Sequence, residues 1–477
     1  MKADPHSGRD GTAGGPPDRR LGSLPYRAAA DSARMPIEGL PASSAPPDDP
    51  EQRFRRLPGL LGRLGPALFW RRLRLPRRRR RWAAGHAEAT AAYAKVRLAG
   101  PPKDVGPEQD KARVVVLGDF GGDTGIARSA SYELPHLEAA FPGLVVIDGD
   151  ATAPGTAPIP LTAPPIDRLI ILAAPDNFAR LLAHLPPERI AHAWRTALWV
   201  WEAPQLAPEW DFAFDLVHEI WTPSAYSAAA IAPRAAPHGI EVIVRPHRVP
   251  PPPAVTPAAA AAARAELGIP GDAFLGLAVM DIRSCPARKN PWAHIAAWAA
   301  AFGTSPRHRL VLKIRVSKRT AIVRQELETM IRETGASVHL IEGHLPDEAL
   351  AALMAAADVH LSLHRAEGYG LVIAEMLARG TPVVATDWSA NAEYGPSFAN
   401  YHAVPYRLVP CRDWTAHFPD RRFDWAEPRI AAAAKILAGL AAEAENRRHA
   451  APPSVEGEES AMARPEHDLA ARRAGAA

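Results

Sequence analysis

Short β-branched apolar runs alternate with helical patterns twice along this chain, and one proline cluster separates the two series. The first series holds "RVVVLGDF", "GLVVID", "RLIILAA", "TALWVWEAP" and "HEIWTPS", and closes near "EVIVRPHRV". The second holds "AFLGLAVMDIR", "HRLVLKIR", "SVHLIEG", "DVHLSLH" and "TPVVATD". Parallel strands need a crossover helix between them, so strand–helix alternation predicts parallel sheets. Two such series predict two α/β domains, over residues 111–249 and 263–440. The prolines at 250–253 open a stiff linker over 250–262, and the alanine run that follows can start a helix.

Charge is distributed unevenly. The net charge of the 477-residue chain is +4, but residues 51–82 hold twelve arginines and one acid, +11 in all. The remainder is therefore 4 − 11 = −7, an acidic body with a local basic patch. That removes the support for a nucleic-acid-binding reading of the whole protein, and no nucleic-acid partner is expected. Residues 1–84 are rich in proline and arginine, residues 441–477 are polar and alanine-rich, and both are expected to be disordered. The basic segment 53–82 places leucines at helical spacing among its arginines, near Phe69, Trp70 and Trp82. It reads as a solvated arginine tail or as a segment lying on the anionic inner face of a membrane. No apolar run approaches the ~20 residues of a membrane span, and the first residues lack the apolar core of a signal peptide. The two cysteines, Cys285 and Cys411, allow no disulfide framework. A cytoplasmic protein, peripheral at the inner membrane face if the basic segment binds there, is expected.

The chemistry concentrates in "HRAEGYGLVIAEMLARG". Arg365 to Gly370 form a loop between the strand "DVHLSLH" and a helix, so the N–H groups of Gly368, Tyr369, Gly370 and Leu371 fall at a helix N-terminus, a ready anion site. Glu367 beside those donors would repel a phosphate, which suggests that it faces hydroxyl groups instead. Glu375, one turn into the helix, suits a ribose diol. Arg288 and Lys289 follow the first strand of the same domain and could neutralise a diphosphate. Either glutamate alone would more often be a dipole-matching cap; the combination at strand ends of one domain describes a nucleoside diphosphate sugar site. No G-x-G-x-x-G or G-x-x-x-x-G-K-[ST] run occurs, against dinucleotide oxidoreductases and P-loop enzymes. No metal is expected, and no cofactor beyond the nucleotide sugar as co-substrate. His136, His238 and His247 read as structural or surface residues, and His364 as a candidate for the site.

The segment "SLHRAEGYGLVIAEMLARGTPVVATDWSANAEY" resembles the signature of the retaining GT-B glycosyltransferases of the group 1 family, a Glu, seven residues, a second Glu and then a Gly-x-Pro-Val-Val strand. The resemblance extends over about 111–440 through "ALWVWEAPQLAPEWDFAFDLVHEIWTPSAYSAAAI", "RKNPWAHIAAWAAAF" and "FDWAEPRIAAAAKIL", towards the bacterial surface-polysaccharide branch. It implies a GT-B fold, two Rossmann-like domains facing a central cleft, the first for the acceptor and the second for the nucleotide sugar. It implies retaining, metal-independent transfer of a hexose, GDP-mannose foremost, to a glycan or lipid-linked acceptor. Glu367 would then contact the donor sugar, Glu375 the ribose, and Arg288 with Lys289 and the N–H groups of 368–371 the diphosphate. Where many relatives carry a histidine in the first domain this chain has "WVWE", making Glu202 or Trp201 the candidate. Gly121, Gly122 and Gly125 would line the acceptor side. A non-catalytic nucleotide-sugar-binding scaffold, a basic-tail nucleic-acid binder and a GT-B epimerase are the competing readings.

Overall fold

Val114–Val116 open a strand with no polar face, and such strands are stable only when both faces of their sheet are covered. The computed structural model describes residues 65–98, 113–122, 124–151, 165–317, 320–411, 413, 418 and 422–449, with side chains of 79–97 in the first of these segments. The strands are β1 (Val114–Gly118), β2 (Val145–Asp148), β3 (Arg168–Leu172), β4 (Trp194–Leu198), β5 (Glu219–Thr222), β6 (Glu241–Val244), β7 (Phe274–Asp281), β8 (His308–Arg315), β9 (Val338–Glu342), β10 (Val359–Ser362), β11 (Val383–Thr386), β12 (Tyr401–Val404), β13 (Tyr406–Pro410) and β14 (Asp424–Pro428). The helices are α1 (Gly65–Leu98), α2 (Gly125–Ala140), α3 (Phe178–Leu182), α4 (Ala225–Ala235), α5 (Pro257–Glu266), α6 (Pro286–Lys289), α7 (Pro291–Phe302), α8 (Ala321–Thr334), α9 (Asp347–Ala356), α10 (Leu371–Ala378), α11 (Asn391–Tyr394) and α12 (Ile430–His449).

β1–β6 form one six-stranded parallel sheet in the order β2-β1-β3-β4-β5-β6. β7–β12 form a second, in the order β12-β11-β10-β7-β8-β9. The second order is that of the doubly wound Rossmann sheet, and its direction reverses between β7 and β10. Ligands of such sheets sit beyond the strand ends at that switch point. The loops after β7 and β10 carry Arg288–Lys289 and His364–Gly370, so topology alone brings the two groups together. Gly276 within β7 serves packing: a Cβ there would lie 2.4 Å from the Trp298 ring.

The antiparallel hairpin β13–β14 belongs to neither sheet. Its Trp425, together with Cys411, Phe418, Phe423, Cys285 and Ala287, joins the buried core of the first sheet, which includes Trp199, Trp201 and Phe214. Phe418 meets Trp201 edge to face at 5.9 Å. The apolar core of the first half is thus completed by late residues.

Residues 65–84, placed by sequence in a disordered tail, are helical. α1 continues into the alanine-rich stretch 83–94, a strong helix former. Its C-terminal half docks on the first domain: Tyr93 Oη donates to the carbonyls of Leu182 and Leu185 at 2.8 and 2.9 Å, and Trp82 meets Phe212 at 6.2 Å. At the other end α12 runs past 440 to His449, with Arg447, Arg448 and His449 in its last turn to suit the helix dipole; Arg448 pairs with Asp358 at 3.0 Å. Residues 1–64 and 450–477, where the remaining disorder is expected, lie outside the described residues. The linker is shorter than its sequence span, because Thr256 caps α5 and Pro257 begins it.

Candidate active site

Arg288 is the centre of the site. It is the third residue of the four-residue helix α6 and is 1% exposed. A guanidinium out of water is tolerated only with acceptors around it. Nη2 lies 2.7 Å from Glu202 Oε1, Nη1 lies 3.2 Å from Glu367 Oε1, and Nη1 donates to the Ala366 carbonyl at 2.7 Å. Glu202 comes from the loop after β4, so this ion pair joins the two domains. Burial disfavours the charge on Arg288, but Glu202 and Glu367 outweigh it and raise its pKa.

Glu367 is 7% exposed and receives Lys289 Nζ at 2.6 Å. Burial pushes its carboxyl up, yet Lys289 and Arg288 more than compensate and hold it at about 2. Its own N–H donates to Ser389 Oγ at 2.9 Å. Lys289, with 19% of its side chain exposed, is the cation of the pair that still reaches solvent. His364 is buried beside this group, its ring nitrogens have no hydrogen-bond partner, and burial lowers its pKa to about 4. The ring is therefore neutral near pH 7.

The loop is fixed from several sides. Gly370 caps α10 at φ 86°, a left-handed conformation that glycine tolerates best. Tyr369 is buried, with its hydroxyl on the His247 carbonyl at 3.1 Å. Gly368 lies against the first domain, where a Cβ would meet Val200 Cγ1 at 2.6 Å and the Trp201 carbonyl oxygen at 3.0 Å. Ser224 Oγ donates to the Gly368 carbonyl at 2.8 Å. Leu371 starts α10.

Glu375 is 7% exposed and faces α2 of the first domain. Tyr132 Oη donates to its Oε1 at 2.7 Å, and Arg128 Nε lies 3.0 Å from the same oxygen. Burial raises its pKa, with Arg128 and Tyr132 opposing. Of the two alternatives in "WVWE", Glu202 enters the ionic cluster. Trp201 is core, its indole N–H on the Gln205 carbonyl at 2.8 Å. Gly121, Gly122 and Gly125 follow β1 in the first domain, the last of them starting α2. None of the three has a positive φ; a Cβ at Gly122 would meet Ala127 at 3.1 Å, and one at Gly125 would meet nothing within 4 Å. Among the described residues no group of three or more His, Cys, Asp or Glu could hold a metal ion, and no helix is long and apolar enough to cross a membrane.

Several residues escape a reading of the sequence. His294 donates from Nδ1 to the Asn290 carbonyl at 3.0 Å and accepts the Leu363 N–H on Nε2 at 3.0 Å, tying the cationic turn to the acidic loop. Arg365 binds the Ala287 carbonyl and pairs with Glu427 at 2.7 Å. Glu393 accepts the N–H groups of Ala225 and Tyr226 at 2.9 and 2.7 Å, capping α4 of the first domain from the second. Ser389 and Glu393 stand in the quoted signature segment, a signal by proximity. For Arg128 and Tyr132 the sequence offers only their i, i+4 spacing on a helix.

Residues 309–416 match the model of the family described as Glycosyl transferases group 1, a span that includes both Glu367 and Glu375. No curated protein matches the chain. Among solved structures it is similar to HepE of Anabaena in complex with UDP and glucose, at 16% identity over 70% of this chain and 95% of that one, with a TM-score of 0.46. It is similar to WaaG, a glycosyltransferase involved in lipopolysaccharide biosynthesis, at 15% identity over 70% and 94%, with a TM-score of 0.44. A structure of E. coli trehalose-6-phosphate bound with UDP-2-fluoro glucose is similar at 14% identity over 59% and 69%, with a TM-score of 0.40. Likenesses this distant carry no weight for substrate or mechanism.

Proposed function

We propose that this chain is a glycosyltransferase that moves a hexose, mannose foremost, from a nucleoside diphosphate sugar to a glycan or lipid-linked acceptor of surface-polysaccharide assembly. Transfer retains the anomeric configuration and uses no bound metal. The observation that carries the reading is the buried, ionised Glu367 held by Lys289 and Arg288 at the switch point of a Rossmann-ordered sheet. A carboxylate kept charged there suits polar hydroxyls of a sugar, and a neighbouring lysine suits the leaving diphosphate. In this scheme Lys289 meets the phosphates, with the N–H groups of Gly368–Leu371 beside it. Arg288 fixes Glu367 and Glu202 from behind, and Glu375 takes the ribose. His364 stays neutral behind the loop, and Gly121, Gly122 and Gly125 border the acceptor side. Residues 53–82 hold a cytoplasmic protein at the inner membrane face.

A second reading, a non-catalytic nucleotide-sugar scaffold, draws on one observation: the first-domain position where a histidine is expected carries Glu202, already engaged by Arg288. Thermal shift with UDP, GDP, ADP, dTDP and CMP, with and without magnesium, tests the donor site, since a ligand of the folded state raises the melting temperature by mass action. A shift with one nucleoside diphosphate, unchanged by magnesium and lost in Lys289→Ala, is expected. No shift with any of them would sink the donor site. A shift without turnover of the matching nucleotide sugars would favour the scaffold.

A further inference from the structure

Glu375 is a carboxylate with two unequal ends. Oε1 accepts from Tyr132 Oη at 2.7 Å and lies 3.0 Å from Arg128 Nε. Arg128 Nε also donates to Tyr132 Oη at 2.7 Å, so guanidinium, phenol and carboxylate form a relay directed onto one oxygen. The other oxygen, Oε2, is buried and has no hydrogen-bond partner. A buried acceptor left without a donor is costly, and a ligand hydroxyl placed there would relieve that cost. Burial, with Glu375 adding to it, pushes the Tyr132 phenol up to about 12, which keeps it a donor. Both Tyr132 and Arg128 stand on α2 of the first domain, whereas Glu375 stands on α10 of the second.

We propose that Tyr132 and Arg128 are positioning residues for nucleotide recognition: by occupying Oε1 they present Oε2 of Glu375 to a ribose hydroxyl. This rests on the donor-site reading above. It adds that the first domain takes part in nucleotide selection through a carboxylate of the second, so one side chain serves both a contact between the domains and ribose recognition.

Isothermal titration of the full chain with UDP, GDP and ADP, each beside its 2′-deoxy counterpart, tests this. Wild type is expected to favour the ribonucleotide about tenfold, the worth of one hydrogen bond to a charged acceptor. Tyr132→Phe and Arg128→Gln, checked for an unchanged melting temperature, are expected to weaken the ribonucleotide about tenfold and the deoxy form little. The preference should then shrink to less than about threefold. Loss of both forms alike, with the preference intact, would mean a purely structural pair. Tighter binding in the variants would mean that the pair competes with the nucleotide. Either result overturns the proposal, as does wild-type binding with no ribose preference. If wild type binds none of the three ribonucleotides, the donor-site reading falls and takes this inference with it.

Discussion

Histidines 218, 294, 360 and 364 are held neutral by burial, with pKa values of about 4, 4, 3 and 4. In the unfolded chain each titrates near its ordinary value of about 6.5. Between these limits the unfolded state binds more protons, so stability is fully present above about pH 6.5 and is lost as the pH falls toward 4. Glu326, raised by burial to about 7, acts in the opposite sense. The lowered His308, His402 and Glu367 act in the same sense as the four rings, and the raised Glu375 and Asp387 in that of Glu326, so the unfolding free energy is expected to rise with pH between 4.5 and 6. A flat profile there would contradict the buried neutral rings. At this scale Glu367, Glu375, Arg288 and Lys289 were legible because they sit at strand ends in a recognisable spacing. Arg128 and Tyr132 were not. Their partner lies 243 positions from Tyr132, and helical periodicity says which face a residue occupies but not what that face meets.

Among the elements, the loop before α10 is the most tightly fitted. Gly368→Ala puts a methyl against Val200 and a fixed backbone oxygen, and overpacking of this kind costs about 1–3 kcal/mol. A lowered melting temperature and loss of nucleotide binding are expected together. Gly125→Ala, at the start of α2 with nothing within 4 Å, serves as the control and should be neutral or slightly stabilising. Equal stability of the two variants would show that Val200 and Trp201 give way easily. The strands of both sheets, β12 excepted, follow from apolar runs in the sequence. The role of the β13–β14 hairpin does not: only tertiary packing assigns Trp425 and its aromatic neighbours to the first domain's core.

At the level of the whole molecule, α1 belongs to the first domain. Arg195 is fully buried, with its guanidinium on the carbonyls of Tyr93, Ile190 and Leu216 at 2.8, 3.0 and 3.4 Å, and burial lowers its pKa to about 10. Removing residues 1–84 keeps Tyr93 in place; removing 1–98 strips one of three carbonyls from a buried cation, at a cost of about 1.5–3 kcal/mol. The shorter truncation is expected to melt near wild type but to lose sedimentation with anionic vesicles. The longer one should melt well below it. Matching melting curves would detach α1 from the domain, and undiminished vesicle binding by the shorter form would remove the membrane role of 53–82. The helical 65–84 stretch was misread because its prolines and arginines match the composition of a tail, whereas the contacts of Trp82, His86 and Tyr93 decide its state.

The hairpin carries a further consequence, for how the protein is made. A ribosome releases β1–β6 long before Cys411, Phe418, Phe423 and Trp425, which line part of the same core. During synthesis the first sheet therefore emerges with an uncovered apolar flank. It consolidates only when the last segments arrive, leaving the nascent chain dependent on shielding from aggregation until Trp425 has emerged.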